Sequence, residues 1–183
     1  MKHILSTGLL AILFAACNQD AASSEELTRD YFFNLADYFE SEIQRLEKAT
    51  FPMTKVLSIN GLSEEVPTDT LNFSKELAIF KKSDINRIAW IDKYKGDTLR
   101  NSNGELERIV YSAIRKDLRT QKIVIDFEAG TPAKIVIRNE TDSPALSARQ
   151  MLVYQPDSGF SIDQEQKVKA MERKFLKIEV NYQ

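Results

Sequence analysis

The chain has 183 residues, 43% hydrophobic and 28% charged, with a formal net charge of −2 at pH 7. These are the fractions of an ordinary globular chain, which excludes general disorder, and the near-balanced charge offers no global basic field for nucleic acid. The only histidine is His3 and the only cysteine is Cys17. Beyond Cys17 the chain therefore holds no Ser-His or Cys-His nucleophile, no zinc site built on N or S ligands, no haem held by His or Cys, and no internal disulfide.

The chain opens with Met1-Lys2-His3, runs apolar from Leu9 to Ala16, and turns polar at Asn18. This is the layout of a signal peptide, and it is too short to span a bilayer, which takes about 20 apolar residues. Phe14-Ala15-Ala16-Cys17 resembles a bacterial lipobox, with Phe14 where Leu is usual. In such signals the cysteine becomes the first residue and carries acyl chains, palmitate among them. Residues 1–16 are read as a lipoprotein signal peptide, 17–27 as a lipidated Cys17 and polar tether, and 28–183 as a single α+β domain. The competing reading is a signal peptide cut elsewhere, leaving a soluble periplasmic protein. Several acyl chains hold a protein on a membrane well beyond the marginal binding of one.

Thr28–Ala49 carries Phe32, Leu35, Phe39, Ile43 and Leu46 at intervals of three or four. The spacing predicts an amphipathic helix whose aromatic stripe covers a sheet. Met53–Ile59 reads as a strand, Asn60-Gly61 as a type I′ hairpin turn, and Leu62–Val66 as the antiparallel return. Leu71–Lys82 predicts a second helix with Phe73, Leu77 and Phe80 on one face. Ser83 and Asp84 are placed to cap a further turn that leads to Ile88 and a core Trp90.

Beyond Trp90 the period falls to two, and turn signals recur at Asn101–Gly104, Ala129–Pro132, Asp142–Pro144 and Pro156–Gly159. The strands between them are Glu105–Ile114, Gln121–Glu128, Ala133–Asn139, Leu146–Gln155, Phe160–Val168 and Lys174–Tyr182. Connections this short predict a long antiparallel meander. In the central hairpin Ile123, Ile125 and Phe127 alternate with charge, as do Ile135 and Ile137, so odd numbers face the core on both strands. That parity predicts an odd loop of three or five residues around Gly130, not a two-residue turn. The expected architecture is an N-terminal amphipathic helix, a β-hairpin and a second helix packed on the meander, with one buried and one wet sheet face.

Taken in order, YFFNLADYFESEIQRL, TKVLSINGLSEEV, NFSKELAIFKKSDINRIAW and RTQKIVIDF resemble a group of uncharacterised small lipoproteins of the phylum Bacteroidota. The resemblance implies a lipoprotein of a two-membrane cell. With Asn18 after the cysteine it implies the outer membrane, the periplasmic leaflet being favoured over the cell surface. It brings no activity or ligand.

Chemistry-bearing patterns are few. Neither S-x-x-K nor G-x-S-x-G occurs, and the glycines stand alone, so the domain is read as non-catalytic and without a cofactor. Asp126 with Glu128, and Asp163 with Glu165, share strand faces as a cation site would, but alternate carboxylates are common on wet sheet faces, Lys122, Lys134 and Arg138 are placed to pair with the first two across strands, and no metal is expected. Arg115, Lys116, Arg119 and Lys122 form a basic turn, a candidate binding surface for anionic head groups whose alternative is a solvated connection. Asp69-Thr70-Leu71 and Asp97-Thr98-Leu99 resemble the D-[ST]-apolar O-glycosylation acceptor of Bacteroidota, which makes Thr70 and Thr98 candidate sites. Two functional classes stay open. One is a non-catalytic interaction module with an envelope protein partner, as an assembly factor, inhibitor or immunity protein would have. The other is a carrier that encloses lipid or another apolar ligand between sheet and helices, in a cavity lined by Phe32, Phe39, Ile125, Ile137 and Ile178.

Overall fold

A computed structural model describes residues 31–68 and 70–183. Cys17, the signal segment and the tether lie outside the described residues, as does Asp69. The chain runs through helix α1 (Leu35–Lys48), the hairpin β1 (Met53–Ile59) and β2 (Leu62–Thr68), and two single helical turns, α2 (Phe73–Glu76) and α3 (Ala78–Lys81). A 3₁₀ turn at Ile88–Lys93 leads into seven strands. These are β3 (Tyr94–Arg100), β4 (Leu106–Ala113), β5 (Thr120–Glu128), β6 (Thr131–Asp142), β7 (Leu146–Gln155), β8 (Gly159–Val168) and β9 (Lys174–Tyr182). All nine strands form one antiparallel sheet in the order β2-β1-β9-β8-β7-β6-β5-β4-β3.

The meander from β4 to β9 matches the sequence reading, and β3 adds an edge strand to it that the reading lacks, but the hairpin does not pack on it. It joins the plane of the sheet, with Met53 opposite Tyr182 and Ile59 opposite Leu176. The register explains this placement: Leu57 and Ile59 line up with Ile178 and Leu176, so the apolar sets of β1 and β9 continue on one face. Asn60 and Gly61 both take positive φ, as a type I′ turn requires.

Helix α1 starts at Leu35 and not at Thr28, because Asn34 caps it, its side chain accepting from the Asp37 amide at 3.0 Å. The residues before it find other acceptors: the Tyr31 amide donates to Asn86 Oδ1, and the Phe33 amide donates to the Tyr111 hydroxyl. The predicted stripe is the buried one, with Leu35, Phe39, Ile43 and Leu46 all enclosed. Phe39 packs on Phe80 and Tyr154 with ring centroids 5.0 Å apart in each pair. Each such side chain contributes about 1.5–3 kcal/mol by leaving water. The second helix breaks into α2 and α3 at Leu77, yet Phe73, Leu77 and Phe80 stay buried as its spacing required.

On the sheet's helix-covered face, Tyr111, Ile123, Ile137, Leu152, Ile162 and Ile178 form one row across neighbouring strands. Ile125, Ile135, Tyr154, Phe160 and Val180 form the next. The outer face is not wholly wet: Val110, Val124, Val136 and Val153 align in register and are half-buried.

The odd-loop expectation is corrected. Glu128 pairs with Thr131, so the β5–β6 connection is the two-residue turn Ala129-Gly130, both at positive φ. The ladder then slips between Asp126 opposite Lys134 and Phe127 opposite Pro132, leaving Ala133 as the extra residue of a bulge. The bulge restores the even sum that joins Ile125 to Ile135, so the parity was right and its cause was misplaced.

Candidate functional site

The helices leave one end of the covered face open. There the row ceases to be apolar: Thr120, Asn139, Gln150 and Gln164 lie side by side on β5, β6, β7 and β8. The edge of α3 meets this row at Ser83, whose hydroxyl donates to the Ile79 carbonyl at 2.8 Å and accepts from Asn139 Nδ2 at 2.9 Å. Asn139 Nδ2 also reaches Gln150 Oε1 at 3.5 Å. The donors then run outward, Gln150 Nε2 to Gln164 Oε1 at 2.7 Å and Gln164 Nε2 to Gln166 Oε1 at 3.0 Å. The Asn139 side chain is 2% exposed, and its Oδ1 is buried without a hydrogen-bond partner. Such an orphan acceptor costs about 1–3 kcal/mol.

Arg119 enters the same cleft. Its guanidinium donates to the Lys82 carbonyl and to Gln150 Oε1, each at 3.2 Å, and no carboxylate among the described residues forms an ion pair with it. Burial without a counter-charge holds its pKa below the usual arginine value. Arg119, Asn139, Gln150, Gln164 and Gln166, with Glu140, Thr141, Leu146 and Ala148, line a cleft of about 210 Å³. The Glu140 amide donates to the Arg119 carbonyl at 2.8 Å, and its carboxylate pairs with Arg138 at 3.5 Å. The lining offers donors and acceptors for recognition, and no thiol, imidazole or activated hydroxyl.

The other three members of the basic turn are not brought to this place. Arg115 is held by Asp117 in a two-pronged pair, with nitrogen–oxygen distances of 2.9 and 2.7 Å. Lys116 stays exposed, its carbonyl accepting from Gln121 Nε2 as the turn closes. A register irregularity between Thr120 and Lys122 separates their faces, so Lys122 points outward opposite Arg138 while Thr120 sits inward opposite Asn139. The four residues thus divide between the turn, the cleft and the outer face. Thr70 and Thr98 are both exposed, Thr98 within edge strand β3 and not in a turn. Cys17 lies outside the described residues.

Asp126 pairs with Arg108, and Glu165 with Arg173. Asp84 does not cap a turn after α3 alone: its Oδ1 accepts from the Asn86 and Leu35 amides at 3.3 Å each, joining that segment to the start of α1. Trp90 is at the margin of the core, half-buried, with Arg87 4.5 Å from its ring centre. Two further cavities lie elsewhere, the first of mixed polarity and the second mainly apolar in its surface with a charged rim. One of about 560 Å³ is lined by Tyr38, Glu42, Arg45, Glu128 and Asp157. The other, of about 320 Å³ on the outer face, has Met151 and Phe175 among Arg138, Arg149, Asp163 and Lys177.

The sequence reading ends this strand at Asn139, whereas β6 continues to Asp142, and the cleft lies at that continuation. Its signal was there: Asn139 shares parity with Ile135 and Ile137, Gln150 with Leu152, and Gln164 with Ile162, so a polar residue recurs at core positions. A scan of protein-family models, a search of curated proteins and a search of solved structures each find no match to this chain.

Proposed function

We propose that this chain is an envelope lipoprotein, anchored through Cys17, whose domain is a non-catalytic interaction module for a protein partner. The observation that carries this reading is the end of the sheet formed by the β1–β2 and β8–β9 turns. Leu62 is 83% exposed there, Met171 62%, Phe175 51% and Ile59 50%. The two turns are tied together, the Asn60 amide donating to the Phe175 carbonyl and the Phe175 amide to Asn60 Oδ1, both at 2.9 Å. Near them in the chain are the exposed Lys167, Lys169 and Lys174, while Arg173 is paired with Glu165 and Lys177 with Glu179. Exposed apolar side chains gathered at one end of a sheet and rimmed by polar and charged residues mark an interaction site, and their complement is an apolar patch on a partner. An assembly factor, inhibitor or immunity protein would use such a surface.

The carrier reading needs an open apolar cavity under the helices. Phe39, Ile125 and Ile137 are fully buried in one packed cluster with Phe32, and Ile178 packs against it. That supports the module.

Cys17→Ala tests the anchor: wild type partitions into a detergent-rich phase and the variant does not. Co-purification from the native envelope tests the surface. A stoichiometric protein retained by wild type and lost in Leu62→Asp and Phe175→Asp supports the module. A stoichiometric lipid, or a partner indifferent to both substitutions, overturns it.

A further inference from the structure

The cleft at Arg119 is chemically distinct from the apolar end of the sheet and does not depend on its reading. Three properties of the cleft limit what could occupy it. The guanidinium has no carboxylate of its own and keeps N–H groups beyond the two it spends on Lys82 and Gln150, so the cleft calls for an anion. Asn139 Oδ1 is an acceptor with no donor, and it calls for a hydroxyl or N–H. An anion that only accepts, such as a fully ionised phosphate, would set one acceptor against another there. The volume of about 210 Å³ lies below the roughly 300–1,000 Å³ of drug-sized pockets and suits a single ring.

From these we infer that the cleft binds a small hydroxy-carboxylate of sugar-acid type. Its carboxylate lies on Arg119, and a hydroxyl donates toward Asn139. Gln164 and Gln166 offer further donors and acceptors to the remaining hydroxyls, and Leu146 and Ala148 offer an apolar wall to a C–H face. The amide ladder fits this role because each side-chain amide both donates and accepts, as a ring of hydroxyl groups requires. No bond is made or broken, and binding is reversible.

The test is calorimetric titration of the full chain in detergent with D-glucuronate, against D-glucose, acetate and inorganic phosphate. Glucuronate is expected to bind at least tenfold more tightly than any of the three. Arg119→Gln should weaken it at least tenfold while leaving thermal unfolding at or above the wild-type temperature, since an uncompensated charge is removed. Gln166→Ala, at the open rim of the cleft, should weaken it severalfold, and it carries the test if Arg119→Gln fails to fold. Leu62→Asp should leave glucuronate binding unchanged, which separates this site from the proposed protein interface. Absence of glucuronate binding overturns the inference. So does equal binding by Arg119→Gln, or acetate or phosphate binding as tightly as glucuronate.

Discussion

Tyr154 of β7 donates its phenolic hydrogen bond to Glu42 of α1 at 2.5 Å, joining the centre of the sheet to the middle of the helix. Arg45 grips the same carboxylate, Nε to Oε1 at 3.0 Å and a terminal nitrogen to Oε2 at 2.7 Å. The phenol is wholly buried while the guanidinium is largely in water. The two ends of this network therefore differ in what their loss exposes. Glu42→Leu orphans a buried hydroxyl and should cost about 2–3 kcal/mol, whereas Tyr154→Phe leaves Glu42 its arginine and should cost about 1 kcal/mol. Urea unfolding of both variants measures the order, and the reverse order would show that the arginine pair, not the phenol, holds the helix.

The buried tyrosines set the alkaline limit of the fold. Burial pushes Tyr94 up to about 12, and burial followed by the nearby Glu42 carboxylate pushes Tyr154 and Tyr38 higher still. In the unfolded chain these phenols titrate near 10. A raised pKa means that the native state keeps protons that the unfolded state releases. Their contribution is thus complete below about pH 10 and is lost as pH rises through the native values. Melting temperature should be flat with respect to these groups up to about pH 9 and fall steeply above 10. Tyrosinate absorbance should appear together with loss of circular dichroism, not before it.

Parity along β5 can be read from one pair of substitutions. Ile125 is fully buried, and Val124 lies half-buried in the outer valine row. Ile125→Asp places a carboxylate among apolar side chains and should cost several kcal/mol, on the order of the domain's whole stability. Val124→Asp should cost about 1 kcal/mol, more than a fully wet position because of Val110, Val136 and Val153. Equal unfolding midpoints in urea would contradict the face assignment.

Gly159 and Gly61 make a second contrasted pair. A Cβ on Gly159 would stand 1.9 Å from the Val180 carbonyl oxygen, at φ +128°, while one on Gly61 would meet nothing within 4 Å. Gly159→Ala should destabilise by more than about 2 kcal/mol, because the backbone of β9 must move. Gly61→Asn, in a left-handed position that asparagine tolerates, should cost less than about 1 kcal/mol. Thermal unfolding distinguishes them.

Much of this fold was legible where side-chain alternation and turn chemistry agreed. β1, β7 and β9 have the bounds read from the sequence, and the helical stripe is the buried one. Strand β3 was not found because Tyr94 is its only buried residue, so YKGDTLR shows no period and is held by its backbone ladder to β4. The β5–β6 turn was misjudged because a bulge is invisible to parity counting, which sees only the sum that it corrects. The hairpin's position was illegible for a different reason: a two-strand unit with one apolar face can lie on a sheet or extend it, and the choice rests on the register with β9. The cleft required the parity argument to be carried past the last isoleucine, into residues that pattern reading treats as a strand's end.

The position of β9 also imposes an order of events. It is the latest of the nine strands among the described residues, yet it lies inside the sheet, with β8 on one side and β1 on the other. During synthesis, or during passage through a pore beginning with the N-terminus, the β1–β2 hairpin emerges early and must wait for the segment that Met53 and Tyr182 close. Pairings so distant in sequence are slow to form and leave strand edges open meanwhile. The sheet is therefore completed only when its final strand is released, and a chain stalled short of Lys174 would carry an orphaned hairpin with two unpaired edges.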